Sequence, residues 1–150
     1  MLETSDGSPI DVHAVLLAES VTAGSLEAMR CGVRESGQRC GLDGLPLAQF
    51  VLVVHELVVN AIRHGGGLAW AVVWRDAAGL HCAVTDRGGG IPRRYLDPER
   101  GTPDGEIPRY GLRLVRQICR DIRLDTGSHG TYIEIGYAVG AAVVRGPSGG

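Results

Sequence analysis

The chain has 150 residues, 44% of them hydrophobic and 21% charged, and a formal net charge of -2. Such a chain can bury a real core in one globular domain and is not a disordered polymer; its charge offers no footprint for nucleic acid or an anionic membrane. It contains no lysine, its 15 Lys+Arg residues all being arginine. A Walker A phosphate loop and Schiff-base chemistry are therefore excluded.

No apolar run approaches the roughly 20 residues that span a bilayer. Residues 1–9 (MLETSDGSP) lack the basic-then-apolar order of a signal peptide, so the cytoplasm is the expected location. Cys31, Cys40, Cys82 and Cys119 are scattered with no CxxC pair, which favours buried free thiols over a metal site or a disulfide framework.

In chain order, residues 1–9 and 140–150 read as flexible tails around a single domain at 10–139. Residues 10–17 suggest a strand. Ser25 is placed to cap a helix that runs to about Cys40 and stops at Gly41. Pro46 marks the first turn of a second helix, whose apolar pattern continues to His64 and ends at Gly65, Gly66 and Gly67. Leu68, Trp70, Val72 and Trp74 then alternate with smaller residues, as in a strand. After a turn at 76–79, a second strand puts Leu80, Cys82, Val84 and Asp86 on one face. Residues 92–109 hold four prolines and two glycines and predict a long lid-like loop. Leu112, Val115, Ile118, Cys119 and Ile122 return to helical spacing, and residues 122–126 and 131–138 predict a hairpin around the turn GSHG. This order predicts an α+β, two-layer sandwich: a mixed, mostly antiparallel sheet with helices on one face.

The second helix carries the chemistry. Asn60 is the only asparagine in the chain, and it lies one turn from Glu56 on an otherwise apolar helix. Asparagine is a mediocre helix former, so something repays its presence. A hard cation such as Mg²⁺ takes one or two protein oxygens and fills its shell with water and phosphate, so Asn60 suits a metal and Glu56 suits a base. The alternative is a polar stripe satisfied by neighbouring backbone. Asp86 belongs to a buried face yet is charged, at the mouth of a glycine-rich turn. It either accepts from an exocyclic amine, with Gly88 and Gly90 letting a flat ring approach the backbone, or simply belongs to that turn.

Taken together, E-x-x-x-N-A-x-x-H-G, D-x-G-x-G-I-P, a lid-like loop, G-L-x-L-V on a helix and G-T on a strand resemble the Bergerat ATP-binding fold. This is the superfamily of gyrase, Hsp90 chaperones, histidine kinases and MutL. The spacing looks most like the small bacterial anti-sigma factor serine kinases, over roughly residues 20–138. The resemblance implies ATP and Mg²⁺ as cofactors, Glu56 as general base and Asn60 as the metal ligand. It implies Asp86 as the partner of the adenine amine, with Gly88, Gly90 and Ile91 shaping that pocket. Gly111 and Leu112 would stand where the lid meets the helix, and Thr131 would help close the adenine pocket. Arg63 and His64 would touch phosphate, or His64 would cap its helix. The sequence departs from the family at PRYGL, where Arg109 replaces the first glycine of the lid hinge. Arg109 is either a phosphate contact or an exposed charge.

The resemblance implies a serine/threonine protein kinase that phosphorylates a small antagonist (anti-anti-sigma) protein and binds a sigma factor, in a family that is typically a homodimer. A non-catalytic ATP-sensing module is the alternative. The ATP-binding half of a split histidine kinase is a third reading; the chain is too short to add a dimerisation helix pair with its own phospho-accepting histidine.

Overall fold

The computed structural model describes residues 14–92, 112–119 and 121–139. The lid-like segment, with Arg109 and Gly111, and both tails lie outside these residues.

Five strands form one sheet in the order β1-β2-β3-β5-β4: β1 Ala14–Val21, β2 Ala69–Asp76, β3 Gly79–Asp86, β4 Asp121–Gly127 and β5 Gly130–Tyr137. All four pairings are antiparallel, so the sheet has the expected antiparallel character without a parallel pair among the described residues. Two of the connections are two-residue hairpin loops, at Ala77 and Ala78 and at Ser128 and His129. The first strand begins four residues later than the alternation suggested and ends at Val21.

Helices α1 (Leu26–Arg39), α2 (Gly44–His64) and α3 (Leu112–Ile118) cover one face of the sheet. A short 3-10 turn at Ala23–Ser25 leads into α1, and there the Thr22 N–H donates to Ser25 Oγ at 3.0 Å. At the other end of α1, Gly41 N–H donates to Gln38 O and Leu42 N–H to Gly37 O, both at 3.0 Å. With Gly41 at φ 89°, this is the left-handed stop that satisfies the last carbonyls of a helix. The two helices pack closely where α1 carries Gly37: a Cβ there would stand 2.7 Å from Leu47 Cδ1.

α2 is the spine of the core. Leu47, Phe50, Val51, Val54, Leu57, Val58 and Ala61 are buried along it. The Phe50 ring meets Tyr137 edge-on at 5.9 Å between centroids, and Phe50 is fully buried. Loss of such a ring costs about 3–5 kcal/mol in lost transfer energy and residual cavity. With 21 residues and a mean hydropathy of 1.8 in its most apolar stretch, α2 is long and apolar enough to cross a membrane by length and composition. That differs from the count of uninterrupted apolar runs, because Glu56 and Asn60 break the run without lowering its average much. Packing against β2, β3 and β5 accounts for this apolarity as that of a core helix.

In β2 the phase holds a finding of its own. The small residues Ala69 and Ala71, with Val73, face the helices, whereas Trp70 and Trp74 lie on the helix-free face. Small side chains under α2 let the helix approach the sheet. β3 follows expectation: Leu80, Cys82, Val84 and Asp86 are all buried.

Candidate functional site

α2, the ends of β3 and β5, the loop after β3 and the first residue of α3 enclose a cleft of about 410 Å³, its open mouth included. Its wall is apolar over Leu57, Ala61, Val84, Ile91, Leu112 and Ile133, with Asn60, His64, Asp86 and Thr131 as the polar groups. A mostly apolar cleft with a few convergent polar groups is the usual form of a small-molecule site.

Asp86 and Thr131 are direct partners across β3 and β5, which sets a carboxylate beside a hydroxyl on the helix-facing side. Both are buried, at 9% and 8% exposure. Asp86 Oδ1 accepts the Gly88 N–H at 2.8 Å, a turn in which an aspartate side chain substitutes for a backbone acceptor. The carboxylate is held from below by glycine. A Cβ at Gly65 would come 2.6 Å from Asp86 Cγ, and one at Gly88 would come 2.6 Å from Gly65 Cα. The three glycines that end α2 therefore do more than stop a helix, since Gly65 lets β3 and its turn close onto the helix end. Gly90 needs φ 88°, and a Cβ there would meet Gly127 O at 2.5 Å, so the same turn also lies against the β4–β5 hairpin.

Asn60 lines the cleft, and its Nδ2 is buried with no hydrogen-bond partner among the described residues. A buried amide without a partner costs about 1–3 kcal/mol, which a ligand group or water in the cleft would relieve. Among the described residues no three His, Cys, Asp or Glu cluster to form a metal cage. Asn60 fits a cation that keeps most of its shell for water and phosphate once the amide is turned so that Oδ1 takes the place of Nδ2, which also removes the unpaired donor.

The expected residues divide as follows. Asn60, His64, Asp86, Gly90, Ile91, Leu112 and Thr131 come together on the wall, and Gly88 lies directly behind it. Glu56 is half-buried one turn before Asn60 and is not part of the wall, and Arg63 is exposed. Gly111 and Arg109 lie outside the described residues.

Sequence reading missed Thr126. Its Oγ1 accepts the Ile91 N–H at 2.8 Å and lies 2.8 Å from Thr131 Oγ1. A signal was available: with a turn at GSHG, hairpin symmetry sets Thr126 opposite Thr131, as the register has it.

On the helix-free face, the Arg87 guanidinium lies 5.2 Å from the centre of the Trp70 ring. Further along, Trp74 stacks on His81 at 5.3 Å, and His81 Nε2 meets Asp76 Oδ1 at 2.8 Å.

Residues 20–136 match the family described as histidine kinase-like ATPase domain. Among solved structures, the crystal structure of the RsbU and RsbW domains of Rv1364c from Mycobacterium tuberculosis is similar, with a TM-score of 0.55 and 19% identity, covering 81% of this chain and 32% of that one. A histidine kinase domain from the Erythrobacter litoralis EL346 blue-light activated histidine kinase gives 0.49 and 18%, covering 80% and 62%. The chain thus spans about a third of the first of these and under two thirds of the second. At such identities the Mycobacterium structure speaks to the fold. No curated protein matches the chain.

Proposed function

The chain belongs to the histidine kinase-like ATPase domain family, and from that premise we propose that it is a Mg²⁺-dependent serine/threonine protein kinase of the anti-sigma type. Its substrate is a small antagonist protein, its second partner a sigma factor, and it works in the cytoplasm as a homodimer. The observation that carries the nucleotide reading is Asn60 Nδ2, buried without a partner among the described residues, in the same cleft as the Asp86–Thr131 pair.

Asp86 has one oxygen engaged by Gly88, and the other accepts the exocyclic amine of adenine. Gly88 and Gly90 keep the backbone bare where the flat base lies, and the apolar wall sandwiches it. Thr131 closes the pocket on the β5 side. His64 and Arg63, at the end of α2, would meet the phosphates, and Leu112, the first residue of α3, lines the cleft beside them. Mg²⁺, held by Asn60, supplies charge neutralisation at the phosphates. Glu56 takes the proton of the incoming serine or threonine hydroxyl as its oxygen bonds to the terminal phosphorus and ADP leaves. The fold shared with the Mycobacterium structure, which is named for its RsbU and RsbW domains, is in keeping with this reading.

A non-catalytic ATP sensor is the second reading, favoured by one observation: Glu56 lies off the cleft wall. The two separate on a pair of variants. Asn60→Ala loses Mg²⁺-dependent ATP affinity by calorimetry. Glu56→Gln retains binding but slows phosphate transfer from labelled ATP to the antagonist roughly 10²- to 10⁴-fold, as for loss of a general base. Full-rate transfer by Glu56→Gln removes Glu56 as the base. Tight ATP binding by the unmutated protein with no transfer to any antagonist of its own genome makes it a sensor.

A further inference from the structure

Near the β2–β3 hairpin, the register sets His81 of β3 and Asp121 of β4 on either side of Gly136 of β5. All three lie on the helix-free face, in the row of Trp74. Gly136 puts no side chain over β5. A Cβ there would stand 3.5 Å from His81 Nδ1 and 3.5 Å from Asp121 Oδ2, so both atoms border one notch. The state of the imidazole follows from its other nitrogen. Nε2 lies 2.8 Å from Asp76 Oδ1. At neutral pH Asp76 is a carboxylate, which only accepts, so Nε2 carries the hydrogen and Nδ1 of the neutral ring presents a lone pair. Trp74 stacks on this ring at 5.3 Å with 11° between the planes, which fixes its orientation. The notch is thus bordered by a nitrogen lone pair and a carboxylate. Neither has a hydrogen-bond or ion-pair partner there among the described residues.

We propose that His81 and Asp121 bind a divalent cation of the Zn²⁺ class over Gly136, with Asp76 as a positioning residue behind the imidazole. Two lone-pair donors facing one space are relieved by a cation between them. Nitrogen with carboxylate oxygen is a donor pair that Zn²⁺ accepts, whereas Mg²⁺ takes oxygens alone. A carboxylate on the far nitrogen is the usual partner of a metal-binding imidazole, because it fixes the tautomer and raises the basicity of the ligand. Bonds of about 2.0–2.2 Å require the donors to lean in over the notch, and Asp121 is exposed at the start of β4. No third His, Cys, Asp or Glu completes a cage among the described residues, so water fills the rest of the shell and the ion is exchangeable. A bound ion joins the edge strand β4 to β3 across β5, and ligation of the folded state alone stabilises it. This site is independent of the nucleotide reading, since it lies on the opposite face of the sheet from the cleft.

The experiment is calorimetric titration of the full, nucleotide-free chain with Zn²⁺ in excess Mg²⁺, beside thermal melts with and without Zn²⁺. The unmutated protein is expected to bind Zn²⁺ and to melt at a higher temperature with it. His81→Gln should abolish this binding. Asp76→Asn should weaken it roughly 10- to 100-fold, the usual loss when the group behind a metal-binding imidazole is changed. Asp121→Asn should weaken it at least as much. Gly136→Ala keeps both donors and fills the notch, so it should lose both the affinity and the Zn²⁺-dependent rise in melting temperature. An unmutated protein that binds no Zn²⁺ overturns the proposal. Binding that survives His81→Gln belongs elsewhere, at a thiol or another histidine, and overturns it too. Binding that His81→Gln removes but Asp121→Asn and Gly136→Ala leave unchanged is that of a lone surface imidazole, which also overturns it. If His81→Gln does not fold, Gly136→Ala decides: unchanged affinity overturns the proposal, and lost affinity supports it.

Discussion

Asp86 accepts the backbone N–H of Gly88 through Oδ1 at 2.8 Å, so the carboxylate holds its own turn with one oxygen and has the other to offer. Asp86→Asn separates these two tasks. The amide oxygen can still accept from Gly88, so the fold should survive, but the amide NH₂ now meets the amine of adenine donor to donor. ATP affinity should fall about 10- to 100-fold, the cost of an unpaired buried donor. Inosine triphosphate, with an oxygen in place of that amine, should lose less. Calorimetry on both nucleotides checks this, and equal binding of the two by the unmutated protein contradicts the role of Asp86.

Gly65 and Gly66 are neighbours with different reasons for being glycine. A Cβ at Gly65 collides with Asp86, whereas Gly66 has φ 88° and open space around it. Gly65→Ala should cost about 1–3 kcal/mol from overpacking and abolish nucleotide binding by displacing the carboxylate. Gly66→Ala should cost about 1–2 kcal/mol from its left-handed backbone and leave affinity intact. Thermal melts beside titrations distinguish the two, and loss of affinity in both variants alike would refute the contact argument.

Burial pushes the Asp76 carboxyl upward, but the His81 ring together with the N–H groups of Ala78 and Gly79 more than offsets this and holds it below its ordinary value of 3.8. A depressed folded-state value stabilises the native protein above the unfolded-state value, and that stability is lost as pH falls through the folded one. Asp76→Asn should therefore lower stability modestly at pH 7 and flatten the loss of stability below about pH 4. Urea melts from pH 3 to 7 read the effect. An unchanged acid limb in the variant would mean that Asp76 has no part in it.

The cysteines divide by burial. Burial pushes the Cys82 thiol up to about 12 and that of Cys119 up to about 11, while Cys31 is exposed. Cys40 is buried too and its thiol is likewise raised, so at pH 8 the reactive thiolate is scarce at all three buried sites. A thiol reagent should label native protein at Cys31 and reach Cys40, Cys82 and Cys119 on unfolding. Labelling of Cys82 at the rate of Cys31 would show that β3 opens far more readily than its burial implies.

Much of this arrangement is legible in the sequence because it depends on periodicity and punctuation. The apolar spacing that ends in three glycines marks α2, and alternation puts Asp86 among Leu80, Cys82 and Val84 on the buried side of β3. The phase of β2 is harder, because both its faces are apolar; what decides is that α2 needs small residues beneath it, and no pattern within the strand encodes which of its faces the helix covers. Thr126 was within reach through hairpin symmetry, but its bond to Ile91 joins residues 35 apart and depends on the sheet order. The spacing of Glu56 and Asn60 places both on one side of a helix, yet the cleft takes in Asn60 and stops short of Glu56, since a wall is shaped by what packs opposite it.

The helix-free face gives the protein its own optical probe. Both of its tryptophans are there, and Trp70, 36% exposed, lies under the guanidinium of Arg87. Arg87 is bonded in sequence to Asp86 on one side and Gly88 on the other, the two residues of the turn proposed to hold the base. A shift of that turn carries the cation across the indole, and indole emission responds to a nearby charge. Any shift of the turn on one side of the sheet is thereby reported by a fluorophore on the other, with no label attached.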